Sequence, residues 1–199
     1  MLCLLAVIGT SVWGTSRALE DPALIPPRPT AEDAAHAQQK LVRLIRGSAT
    51  EPIVMSEAEL NAFISRSLDA RDLPFERPII FLRDGNAVDI LGQVPLGRLL
   101  AESPFGAAAE LVPRRWTARP VWLQMRAQAR FEPGPRRQLR LDVHRFAVGQ
   151  QRVPTLALRV MLDPARLRFL RMPLPDTVAD VRIQTGRIVI RPTSSRERT

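Results

Sequence analysis

The sequence predicts an α+β fold: N-terminal helices packed on an antiparallel, meandering and curved sheet, with two short helices before a C-terminal hairpin. Three observations carry this. Two early stretches repeat apolar residues at helical spacing behind good N-caps. From about residue 78 the pattern changes to alternation of apolar and polar residues. The alternating runs are joined by Gly-containing turns that send the chain straight back, as antiparallel pairing requires.

The chain divides into a leader (1–18), a proline-rich linker (19–29), one α+β domain (30–192) and a polar tail (193–199). Residues 2–13 form an apolar run short for a bilayer span and suited to a signal-peptide core, and Ser16-Arg17-Ala18 has the small residues a signal peptidase reads. No basic residue precedes the run, so a cleaved signal and a retained anchor both fit. The linker would hold the domain off a membrane.

Thr30 and Asp33 open a first helix over 31–46, with Ala34, Ala37, Leu41, Leu44 and Ile45 on its apolar side and Gly47 as its stop. Ile53-Val54-Met55 is a short extended lead-in. Ser56 and Glu59 form a capping box for a second helix over 57–68, striped with Leu60, Phe63, Ile64 and Leu68. Asn61 lies beside that stripe, where solvent or a neighbouring loop is its expected partner. Strands follow at 78–83 and 87–94 around Asp84-Gly85-Asn86, then a short helix and loop over 96–112. Arg114-Arg115-Trp116 stands before the next strand, either as packing or as a phosphate contact. After a turn at 149–154, residues 155–162 and 163–170 read as the two short helices. A hairpin over 181–184 and 187–190 turns at Thr185-Gly186.

The longest alternation lies at 119–149. Val121, Leu123, Met125, Ala127, Ala129 and Phe131 share one face, and Trp122, Gln124, Arg126, Gln128 and Arg130 the other. Folding about 132–136 brings Phe131 opposite Leu139 and Ala129 opposite Leu141, and hence Arg130 opposite Arg140. Like charges so placed are destabilising, and either Asp142, diagonal to Arg130, or an external anion offsets them. Near the turn the polar face is basic. At the base, Trp122, Phe146 and Val148 are expected to take it over and bury both sides.

The formal net charge is +9, and it is uneven: residues 1–100 carry −2 and residues 101–199 carry +11. Such asymmetry points to an anionic membrane surface, a lipid or an acidic envelope polymer as partner, with a protein partner also open; a simple arginine bias of composition is the competing explanation. Trp122, Arg126, Arg130 and Arg140 are the candidate ligand-binding residues, because flat guanidinium groups suit phosphate oxygens. Nucleic acid is disfavoured by the absence of Tyr and the paucity of aromatic stacking residues.

Catalytic patterns are missing. Cys3 is the only cysteine and lies in the leader; His36 and His144 have no metal-ligand spacing; Glu57 and Glu59 read as first-turn helix charges. Asp142 and His144 share a strand face, but no serine in a strained turn accompanies them. The reading is a non-catalytic binding module with no cofactor and no metal, with a structural or interaction subunit of an envelope complex as the alternative.

The leader, the Ser56-Glu57-Ala58-Glu59-Leu60-Asn61 helix start after a short strand, the Asp84-Gly85 hairpin, the paired strands of 119–148, the Val153-Pro154 helix entry and the Leu174-Pro175 to Ile190 closing hairpin together resemble the small membrane-tethered or secreted bacterial domains of the YpmS-like and LmeA-like groups. The resemblance implies an extracytoplasmic domain related to lipid-binding folds, whose curved sheet cradles acyl chains. It assigns no catalytic or binding residue, and the arginine-rich C-terminal half lies outside it.

Overall fold

The computed structural model describes residues 29–67, 76–101, 114–134, 137–155 and 170–193. The leader, most of the linker, the two expected helices at 155–170 but for their end residues, and the tail beyond Thr193 fall outside the described residues.

The fold is α+β with antiparallel pairing throughout. Helix α1 (Ala31–Ile45) begins at a capping box between Thr30 and Asp33. It ends at Gly47, whose φ of +66° lets the chain reverse. Ala34, Ala37 and Leu44 are buried, whereas Ile45, expected on the same side, is exposed. The set at i, i+3 and i+10 already spans the docked stripe, and the residue after Leu44 rotates off it.

Strand β1 (Ile53–Ser56) runs directly into helix α2 (Glu57–Ser67). Their junction is the expected capping box: the Glu59 N–H donates to Ser56 Oγ at 3.1 Å and the Ser56 N–H to Glu59 Oε2 at 2.8 Å. Strands β2 (Glu76–Arg83) and β3 (Ala87–Pro95) form the hairpin around Asp84-Gly85-Asn86. Helices α3 (Leu96–Ala101) and α4 (Arg114–Thr117) are short, so Arg114-Arg115-Trp116 is a helical turn. Strands β4 (Pro120–Glu132) and β5 (Gln138–Val148) are the long central hairpin, with β6 (Gln151–Val153) and β7 (Arg171–Pro173) pairing at opposite ends of β5. Strands β8 (Val178–Gln184) and β9 (Arg187–Pro192) close the fold.

The strands make two sheets. One is a six-stranded meander, β2-β3-β4-β5-β6 with β7 also on β5; the other is a three-stranded sheet in the order β1-β9-β8. The second sheet was not foreseen. The extended lead-in 53–56 pairs with the last strand, Ile53 opposite Ile190 and Met55 opposite Ile188, and no local pattern encodes so distant a pairing. The short strands β6 and β7 also depart from expectation: β6 falls in the stretch expected as a turn, and β7 directly follows the second expected helix. Runs of three residues give alternation too little length to register.

One core lies between the sheets and helices. It holds Met125, Leu123, Val121 and Phe146 of the central hairpin, Leu82, Val88, Ile90 and Val94 of the first, and Val178, Val181, Ile183, Ile188 and Ile190 of the last. Burying such side chains contributes about 1.5–3 kcal/mol each before entropy is counted.

The register of the central hairpin is as expected near its tip, with Phe131 opposite Leu139 and Arg130 opposite Arg140. Nearer the base it changes. Arg126 faces Arg145 while Ala127 faces Val143, so His144 is an extra residue in β5. This bulge turns Phe146 and Val148 onto the core face, opposite Met125 and Leu123, and not onto the polar face expected for them. Phe146 is accordingly among the most buried side chains. The outer face at the base instead receives Arg145 and Ala147.

Candidate functional site

Polar side chains that might have served a site mostly hold the fold together. Strand β2 is an edge of the meander, and its outward backbone groups are taken up one after another. Asn61, only 4% exposed, accepts from the Ile80 N–H and donates to the Ile80 carbonyl, both at 2.7 Å. Its partner is therefore a strand edge, not solvent or a loop. Glu57 accepts from the Leu82 N–H at 2.7 Å, and the Leu82 carbonyl accepts from the Gly186 N–H at 3.0 Å. Lys40 ties α1 to β1 and α2, donating to the Val54 carbonyl and to both Glu59 oxygens. Burial raises the Glu59 pKa, but Lys40, the Ser56 N–H and His36 outweigh it and hold the carboxyl below its usual range.

The outer face of the meander is different in kind. Rows of side chains cross it from β3 to β6. In the row Asp89, Arg126, Arg145 the two arginines face each other across β4 and β5. The next row toward the base is Leu91, Gln124, Ala147, Arg152.

Asp89 organises the first of these rows. Although 6% exposed, it carries two ion pairs: its oxygens accept from Arg126 Nε and Nη2, the latter at 2.8 Å, and from Arg83 Nε at 3.0 Å. Arg83 in turn lies over the Phe81 ring, 5.4 Å from its centroid. Burial alone would raise the Asp89 pKa, and the hydrogen bonds from Arg126 and Arg83 more than reverse this, so the carboxyl stays ionised below the usual Asp range. With two guanidinium groups against one carboxylate, the cluster keeps one positive charge.

The tip of the hairpin is largely neutralised, with two carboxylates among three arginines, the third being Arg171 of β7 opposite Arg140. Asp142 sits between the facing arginines, accepting from Arg130 Nε at 3.2 Å and Arg140 Nε at 2.7 Å. Glu132 adds a contact to Arg140 at 3.4 Å. An open depression of about 990 Å³ beside this tip also contains Asp180 and Arg182, which pair with each other at 3.0 Å.

At the base the positive excess is larger. A smaller pocket of about 360 Å³ is lined by Asp89, Leu91, Gln124, Met125, Arg126, Arg145, Ala147, Gly149, Gln150 and Arg152. Gly149, with φ +56°, makes the two-residue turn between β5 and β6 that brings Arg152 back beside Ala147, diagonal to Arg145. That turn is fixed from β4: the Gly149 N–H donates to the Trp122 carbonyl, and Gln124 Nε2 donates to the Gly149 carbonyl, both at 2.6 Å. Among the described residues, no carboxylate lies within ion-pair distance of Arg145 or Arg152.

The four sequence-predicted residues thus share one outer face but divide into separate groups. Arg130 and Arg140 meet at the tip, Arg126 is held by Asp89, and Trp122 stands at the base beside the Gly149 turn. Arg126 and Arg130 are four residues apart on one strand, roughly 13 Å between their Cα atoms. Sequence reasoning missed Arg145 and Arg152. A signal existed: the apolar alternation Leu139, Leu141, Val143 resumes at Phe146, out of phase by one residue, which is the mark of a bulge. Among the described residues no helix is long and apolar enough to cross a membrane, and no three His, Cys, Asp or Glu side chains gather as a metal site needs. Compared with known proteins, the chain matches no family model and no curated sequence.

Proposed function

We propose that this protein is a non-catalytic module that binds an anionic lipid surface or acidic envelope polymer through the outer face of its meander, outside the cytoplasm. The observation that carries the reading is the charge of that face. Seven arginines, Arg83, Arg126, Arg130, Arg140, Arg145, Arg152 and Arg171, stand against four carboxylates, Glu76, Asp89, Glu132 and Asp142. A fixed array of guanidinium groups in excess attracts phosphate or carboxylate groups, each adding about 1 kcal/mol near an anionic membrane. Headgroup recognition fits better than enclosure of an acyl chain, because among the described residues Met, Leu, Val, Ile and Phe side chains of the two sheets pack into one core.

That filled core also favours the second reading, an interaction subunit of an envelope complex with no small ligand. Flotation of the full chain with neutral and anionic phospholipid vesicles separates the two. The proposal expects binding to anionic vesicles alone, weakening as salt rises; equal binding to both, or none to either, would leave the interaction subunit. Fractionation of cells expressing the chain with a tag after Thr199 tests the location, and tagged protein free in the cytosol would contradict it.

A further inference from the structure

We infer that the pocket at the base of the central hairpin is a subsite for a single phosphate group, clasped by Arg145 and Arg152. The inference rests on the anion-binding reading above and narrows it from a face to a place. Three features converge there. Arg145 and Arg152 lie on adjacent strands in a diagonal relation, with Cβ atoms on the order of 7 Å apart, a spacing from which two guanidinium groups reach the same tetrahedral anion. Both line the same pocket of about 360 Å³, and neither has a carboxylate partner among the described residues. The remaining walls add selectivity: Arg126 is locked in place by Asp89, and Leu91 and Ala147 offer an apolar floor to the group that carries the phosphate.

The other arginine pair provides the contrast that makes this more than diffuse charge. Arg130 and Arg140 directly oppose each other, yet Asp142 already lies between them and Glu132 beside them. An anion arriving between Arg130 and Arg140 meets Asp142 already in place, whereas one arriving at Arg145 and Arg152 meets no paired carboxylate among the described residues.

The ligand chemistry is a phosphate ester, which a lipid headgroup and a soluble phosphate both present. The experiment compares the full chain with two double variants of equal net charge, R145Q/R152Q and R130Q/R140Q. Each is measured against inorganic phosphate by amide chemical shifts and against phosphatidylcholine vesicles doped with phosphatidic acid. The subsite predicts that R145Q/R152Q weakens vesicle binding about tenfold more than R130Q/R140Q does, and that phosphate shifts Gln124, Gly149 and Arg152 in the parent but not in R145Q/R152Q. Ala147→Asp, which leaves both arginines in place and sets a carboxylate beside them, should reproduce the loss.

Equal weakening by the two double variants, with no phosphate shifts at the pocket, would overturn the subsite while leaving a charged binding face. If the parent ignores anionic vesicles but phosphate still shifts the pocket residues, the membrane reading fails and the subsite stands for a soluble ligand. Silence in both arms overturns both.

Discussion

Asn86 and Ile183 exchange two hydrogen bonds across the two sheets: the Asn86 N–H donates to the Ile183 carbonyl at 3.2 Å, and the Ile183 N–H donates to Asn86 Oδ1 at 2.7 Å. The Asn86 carbonyl meanwhile accepts from the Ala129 N–H at 2.8 Å, so one turn residue joins β2–β3, β4 and β8. Asn86 does this at φ +60°, a left-handed conformation that asparagine tolerates better than most side chains. Asn86→Ala should therefore cost about 2–3 kcal/mol, from an unpaired Ile183 N–H together with backbone strain. Asn86→Gly, free of the strain, should cost less. Urea unfolding of the three proteins checks the order, and an alanine variant as stable as the glycine variant would refute it.

The β2 edge gives a second expectation. Asn61 satisfies both backbone groups of Ile80 from a nearly inaccessible position, so Asn61→Ala leaves an N–H and a carbonyl without partners. The loss should be about 2–3 kcal/mol, more than an exposed amide-to-alanine change produces. Hydrogen exchange at Ile80 should speed up in step; unchanged exchange there would show that the edge is covered by other means.

Two carboxyls set an acid limit. Burial pushes Asp89 and Glu59 up, but the arginine and lysine partners prevail and both pKa values lie below the ordinary range. A depressed folded pKa means stability that is fully present above the unfolded value, about 4, and lost as pH falls through the folded value. Unfolding midpoints should thus be level near neutrality and fall below about pH 5. Asp89→Asn and Glu59→Gln should each be less stable at neutral pH and lose less on acidification. Curves that stay parallel to the parent's would contradict the assignment.

Asp142 is the counter-charge of the tip. Asp142→Ala leaves Arg130 and Arg171 on either side of Arg140 with Glu132 as the remaining carboxylate, and should cost from a few tenths to about 1 kcal/mol, shrinking as salt screens the repulsion. Adding Arg130→Gln to that variant should recover most of the loss. A salt-independent loss would mean that Asp142 acts through packing instead.

Much of this could be read from the residues because local chemistry specified it. Ser56 and Glu59, Asp84-Gly85-Asn86 and the alternation from Val121 to Phe131 each contain the cause of the structure they form. The second sheet could not be read in this way, since Ile53 and Ile190 are joined only by the folded chain. The candidate site was legible as a face and not as a place. Trp122, Arg126, Arg130 and Arg140 do share the outer surface, but which guanidinium groups are neutralised depends on Asp89, two strand pairings away from Arg145. The His144 bulge then decides that Arg145, and not Phe146, faces outward.

On the proposed reading, the outer face of the meander meets an anionic phosphate surface base first. The most direct measurement places the full chain on small bicelles containing anionic lipid and a paramagnetic headgroup label, and follows which amide signals broaden. Gln124, Arg145, Gly149 and Arg152 should broaden first, with α1 and β9 remaining sharp. Broadening that begins at α1 or β9, with those four residues unaffected, would contradict it.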